Sequence, residues 1–190
     1  MRGAVAPIPC LVAALTLASC MGRTAPVAVA YAAPANDGPY RLDSGDKLRV
    51  VVFGQEGLSN SYTVDPSGNI TMPLIGSVPA RGKTPARLAA DITAKLRNGF
   101  IRDPSVAVEI EAYRPFFILG EVTLPGQYPY VANMTVETAV AIAGGYTPRA
   151  AKDYAELTRQ GSDGRLVTAS VPITFPVRPG DTIVIKERWF

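Results

Sequence analysis

The sequence predicts an α+β fold in two modules, and three observations carry that prediction. Short β-rich runs recur from Tyr40 to the end, punctuated by glycine and proline, 17 of each in the chain. Two stretches alone combine helical spacing with a start and a stop signal. A Gly-Asp step precedes a β-branched run twice, at Gly45-Asp46 and at Gly180-Asp181. The globular part, 40–190, is long enough to bury about two-thirds of its unfolded surface. It divides after Ala112 into a module at 40–112 and a smaller one at 113–190.

Each element has a local reason. Leu48, Val50, Val51, Val52 and Phe53 form a strand opened by Ser44-Gly45-Asp46. Tyr62–Asp65 and Asn69–Met72 flank Pro66-Ser67-Gly68, a hairpin signal. Thr84-Pro85 supplies an N-cap and a proline at the first helical position, Leu88, Ile92 and Leu96 follow, and Asn98-Gly99 ends the helix. After Asp103-Pro104, Val106, Val108 and Ile110 share one face of a strand, with Glu109 and Glu111 on the other. Phe116–Val122 is the next strand, and Leu124-Pro125-Gly126-Gln127 reads as a turn with proline and glycine at its centre. A second helix starts near Thr135, buries Val136, Ala139, Val140 and Ala143, and ends at Gly144-Gly145. Two strands around Ser162-Asp163-Gly164 and a last one from Thr182 to Phe190 complete the chain.

Composition removes several function classes. The chain of 190 residues has no histidine, so a Ser-His-Asp or Cys-His hydrolase and His-ligated zinc or haem are excluded. No cofactor or metal site is expected. A formal charge of +3 is too small for nucleic-acid binding, which needs a dense basic patch. Charged residues make up 18%, against about 25% in average soluble domains, which points to buried surface beyond one small core.

The N-terminus reads as an address. Arg2 precedes an apolar run from Ile8 to Ala18, the length of a signal-peptide core. Spanning a bilayer takes about 20 apolar residues, which this run lacks. Leu17-Ala18-Ser19-Cys20 resembles a bacterial lipobox, making 1–19 a signal peptide, Cys20 the acylated N-terminus and 20–39 a flexible tether. Ordinary cleavage near Ala28-Val29-Ala30 is the rival reading. Loss of 1–19 discards Cys10, so no disulfide remains in the fold.

Several residues admit two readings. Asp46 and Asp181 are turn caps on free backbone N–H groups, or else ligands or catalytic acids. Glu109 and Glu111, roughly 7 Å apart by strand rise, match a glycosidase carboxylate pair or simply a solvated strand face. Tyr113, Tyr128, Tyr130 and Tyr146 suit sugar stacking or core packing. Arg188-Trp189-Phe190 suits a barrel assembly signal or the aromatic end of a last strand.

Taken in order, the motifs resemble the outer-membrane polysaccharide export (OPX, Wza-like) family. Tyr40-x-Leu42-x-x-Gly45-Asp46-x-Leu48-x-Val50 resembles the opening of its export domain, and Asp65-x-x-Gly68-x-Ile70-x-x-Pro73-x-x-Gly76 its hairpin. Gly120-Glu121-Val122-x-x-Pro125-Gly126-x-Tyr128, Ala143-Gly144-Gly145 and Pro179-Gly180-Asp181 resemble one SLBB (soluble ligand-binding β-grasp) domain. The resemblance implies an export domain of mixed sheet and one helix, then a β-grasp-like domain. It implies a non-catalytic lipoprotein of the outer membrane, facing the periplasm. Its subunits would form a homo-oligomeric ring that passes a polysaccharide polymer and meets an inner-membrane copolymerase. Longer relatives carry further SLBB copies and a pore-forming C-terminal helix. The resemblance here is to short members, which implies a separate outer-membrane β-barrel as partner. Two other functions stand beside the conduit: a saccharide-binding module that forms no conduit, and a carboxylate-based glycan hydrolase.

Overall fold

The computed structural model of the protein describes residues 38–161 and 164–188. Cys20, nearly all of the 20–39 segment, Ser162-Asp163 and Trp189-Phe190 lie outside the described residues.

In the first module, β1 (Lys47–Val52) is the centre of a three-stranded sheet. It pairs antiparallel with β2 (Asn60–Thr63) on one side and β5 (Val106–Ala112) on the other. Strict alternation along Lys47–Val52 sends Leu48, Val50 and Val52 into the core, where each is at most 1% exposed. A separate hairpin joins β3 (Asn69–Met72) to β4 (Gly76–Pro79). Helix α1 (Pro85–Arg97) closes the core with Leu88, Ile92 and Leu96, all fully buried. The hydroxyl of Thr84 accepts from the N–H of Arg87 at 3.2 Å and satisfies one of the first-turn donors. Thr84→Ala is expected to lower the unfolding free energy by about 1 kcal/mol, read from a urea titration.

The expected hairpin across Pro66-Ser67-Gly68 is corrected. A tight reversal exists there, with the N–H of Gly68 donating to Asp65 O at 2.9 Å, but β2 and β3 enter different sheets. The reason lies in Gly68: its carbonyl accepts from the N–H groups of Ala80 and Arg81, so the turn bonds to the far end of β4 instead. A Cβ on Gly68 would stand 2.7 Å from Cβ of Arg81, so glycine is required by proximity as well as by its φ of 88°.

The second module is a five-stranded sheet with the order β7-β6-β10-β8-β9. Its strands are β6 (Phe116–Gly120), β7 (Gly126–Tyr128), β8 (Tyr154–Gln160), β9 (Leu166–Pro172) and β10 (Thr182–Ile185). The central pair, β6 with β10, is parallel; its other pairings are antiparallel. Parallel pairing therefore falls in this module, while both neighbours of β1 in the first are antiparallel. Helix α2 (Val136–Ile142) packs Val136, Ala139 and Val140 onto Phe116, Ile118 and Ile183.

Two further expectations are corrected here. Leu124–Gln127 is not a tight turn, because Gly126 lies in β7 opposite Ile118. The chain reverses earlier, at Gly120 with φ 84°, and the loop is widened to reach the end of α2. There the N–H groups of Thr123 and Leu124 donate to the carbonyls of Gly145 and Ala143. The last strand also ends earlier than expected, at Ile185, followed by an isolated bridge from Glu187 to Ala150.

Candidate functional site

The two Gly-Asp steps share one local geometry. In the first, Asp46 N donates to Asp43 O at 3.1 Å, while Asp46 Oδ2 accepts from Asp43 N at 2.8 Å. In the second, Asp181 N donates to Arg178 O at 3.1 Å, and Asp181 Oδ2 accepts from Arg178 N at 2.7 Å. The glycine between takes a positive φ each time, 91° at Gly45 and 85° at Gly180. Both aspartates act as turn caps, and both are buried, at 0% and 1% exposure.

Buried carboxylates require partners. Asp46 accepts from the hydroxyl of Tyr40 at 2.8 Å and from the backbone N–H of Arg114 at 3.0 Å, with the Arg114 guanidinium 3.6 Å away. Asp181 receives a two-pronged contact from Arg159, through Nε at 2.9 Å and a terminal nitrogen at 2.7 Å. Arg159 projects from the core face of β8, and its guanidinium also lies over the ring of Phe175, 5.5 Å from the centroid.

Arg114 makes the two turns into one junction. A Cβ on Gly45 would stand 3.3 Å from Cβ of Arg114, and a Cβ on Gly180 only 2.7 Å from its Nε. The arginine thus lies against a Gly-Asp turn from each module, where both glycines leave room for it. It also donates to the Tyr40 hydroxyl at 2.9 Å and pairs with Asp43 at 3.6 Å. Beside it, Tyr113 stands edge-on between Tyr40 and Tyr130, with ring centroids 4.9 and 5.4 Å away. Burial pushes the Tyr40 hydroxyl far above the usual phenol range, and burial raises Tyr130 as well.

The remaining candidates fall elsewhere. Gly68 and Pro73 bracket β3, and Gly120, Gly144 and Gly145 surround the wide loop at the end of α2. Pro125 and Gly126 lead into β7. Tyr128 stacks on Phe116 at 6.0 Å and donates to Leu124 O, so it is held by the core. Tyr146 is half-buried, with Lys152 6.0 Å over its ring. Glu111 pairs with Lys47 at 2.7 Å and accepts from Ser61. These two bonds, Lys47 first, hold its carboxyl below the usual range, the wrong direction for a general acid. Glu109 stands across from Arg49 on an exposed face. Among the described residues no group of three acids, cysteines or histidines could hold a metal ion, and no helix is long and apolar enough to cross a membrane.

The sequence reading missed Arg114 and Arg159. Arg159 had a signal: it follows Ala155 and Leu157 at period two, a cation on an apolar face that demands a carboxylate. Arg114 had none, since its role depends on two turns distant in sequence.

Known proteins align with this sequence. The family model for "Polysaccharide biosynthesis/export protein" matches residues 34–111, and that for the SLBB domain matches 115–168. The chain is 34% identical to the exopolysaccharide production protein ExoF of Rhizobium meliloti (strain 1021), over 90% of this chain and 47% of the relative. It is 25% identical to the polysialic acid transport protein KpsD of Escherichia coli, over 78% of this chain and 28% of that protein. The chain thus spans less than half the length of either relative. With both domain models matched in order, the chain carries one polysaccharide biosynthesis/export domain followed by one SLBB domain, the arrangement of the polysaccharide export (OPX) family that its sequence resembles.

Proposed function

We propose that the chain is a non-catalytic subunit of a polysaccharide export conduit. In this reading it is held to the outer membrane by acylated Cys20, faces the periplasm and assembles as a homo-oligomeric ring. The observation that carries the reading is the ordered pair of export and SLBB domains, joined at half-buried Arg114, which bonds to the buried carboxylate of Asp46. A conduit works through geometry: weak, distributed contacts let a polymer move, while a deep binding site would stall it. Gly45, Asp46, Gly68, Pro73, Gly120, Pro125, Gly126, Gly144, Gly145, Gly180 and Asp181 then serve architecture, not sugar contact. An inner-membrane copolymerase would deliver the polymer, and a separate outer-membrane β-barrel would complete the passage. The relatives named for exopolysaccharide production and polysialic acid transport support a polysaccharide as cargo.

The test combines a deletion with crosslinking in intact cells. Loss of surface polysaccharide, with self-crosslinked species and a captured envelope partner, is the expected result. A chain that stays monomeric, in cells whose surface polysaccharide survives the deletion, would sink the proposal. Cys20→Ser should release the protein from the membrane fraction.

A further inference from the structure

Sheet edges are templates for another strand unless they are short, charged or covered. Of the outer edges of the two larger sheets, β2 has four residues and β7 three, whereas β5 and β9 have seven each. The N–H of Phe53 donates to Ser105 O, so antiparallel alternation gives the bonds toward β1 to Ala107 and Glu109, opposite Val51 and Arg49. Val106, Val108 and Ile110 therefore direct their N–H and C=O groups outward.

On β9, the N–H of Gly161 donates to Arg165 O, and at the other end the N–H of Ile173 donates to Asp153 O. Both ends give one phase: Val167, Ala169 and Val171 bond inward to β8. Leu166, Thr168 and Ser170 face outward. Leu166 is 72% exposed, more than any other large apolar residue in the described chain.

We infer that β9 of one copy adds antiparallel to the free edge of β5 in a second copy. The inference rests on the ring reading above and names its interface. The two outward triplets match in number and spacing, pairing Val106 with Ser170, Val108 with Thr168 and Ile110 with Leu166. That register sets the cation Arg165 opposite the anion Glu111, and Ala107 opposite Ala169. A groove of about 810 Å³ already runs beside the β5 edge. Its far wall is the start of α1, which presents the small side chains of Ala86 and Ala89. Donor and acceptor patches differ, so every subunit carries one of each and the contact propagates head to tail, as a closed ring requires.

The test uses the full chain in its own membranes, with Cys20 in place. Ala107 and Ala169 would form a non-hydrogen-bonded pair, whose Cα atoms approach to about 4.5 Å, within disulfide range. On mild oxidation, the double variant Ala107→Cys/Ala169→Cys should give a ladder of dimers and higher multimers. Each single variant should give none. The double variant Ala107→Cys/Thr168→Cys, with side chains on opposite faces, should give at least tenfold less. Thr168→Pro removes an outward N–H that no bond among the described residues uses, together with the hydroxyl contact to Thr158 at 2.9 Å, so it should abolish oligomers while Thr168→Val, which loses only the hydroxyl, keeps them. If Thr168→Pro itself unfolds, the cysteine ladder alone decides. Oligomers that persist without the ladder overturn this interface and leave the conduit reading standing. A monomeric chain, with surface polysaccharide intact in the deletion strain, overturns both.

Discussion

Gly120→Ala is expected to cost about 4 kcal/mol or more, a large share of the roughly 5–15 kcal/mol that holds a typical domain folded. Two effects add. Gly120 holds φ at 84°, a conformation that costs an L-residue roughly 1–2 kcal/mol. The larger effect is steric: a Cβ there would stand 2.1 Å from the carbonyl oxygen of Ile185. That oxygen is backbone of β10 and accepts from the N–H of Glu121, so it cannot retreat without opening the parallel pair at the centre of the sheet. Gly145→Ala is the control. It has φ 89° but nothing within 4 Å of a Cβ, and should cost only the conformational term, about 1–2 kcal/mol. Urea unfolding followed by near-ultraviolet circular dichroism measures both. Equal losses in the two variants would refute the steric account.

Asp181→Ala is expected to cost about 3–5 kcal/mol, because it leaves the guanidinium of Arg159 buried without its carboxylate. Arg159 is 8% exposed and Asp181 1%, so water cannot take the place of the lost partner. The same change frees the backbone N–H of Arg178 at the turn, which Asp181 caps at 2.7 Å. Replacing both members, Asp181→Ala with Arg159→Met, should recover much of the loss, since an apolar side chain on the core face of β8 carries no desolvation penalty. A double variant no more stable than Asp181→Ala alone would show that the cap, and not the ion pair, dominates.

These two positions bear on function through the junction. Asp181 shapes the turn whose glycine makes room for Arg114, and Arg114 bonds to Asp46 in the other module. The proposed conduit would need a defined angle between its domains for a ring to close, and a junction built of backbone turns and buried charges suits that need. On the proposed conduit reading, polymer export should be more sensitive to Arg114→Ala than monomer stability is, which a secretion assay set beside a urea titration would separate.

Much of this architecture was legible in the residues. Helix α1 lies where Thr84-Pro85 and Asn98-Gly99 placed it, and Leu88, Ile92 and Leu96 point inward. The cap at Thr135 and the stop at Gly144-Gly145 work the same way for α2. Each of these signals acts within a few residues, where sequence spacing and spatial distance coincide. The repeated Gly-Asp step belongs with them, since the aspartate reaches its own turn.

Strand pairing and partner choice depended on distances that sequence does not encode. Nothing in Pro66-Ser67-Gly68 reveals that the Gly68 carbonyl binds Ala80 and Arg81, and so the expected hairpin dissolved into two sheets. Pro125-Gly126 carries every local mark of a turn, yet the carbonyls at the end of α2 draw the loop wide and move the reversal to Gly120. The sequence by itself determined the caps, the turns, the apolar faces and the two-module order, because each is decided by a residue and its near neighbours. Only the tertiary structure decided that both Gly-Asp turns meet at one arginine and that β5 and β9 have open edges among the described residues, because those facts belong to surfaces assembled from distant segments.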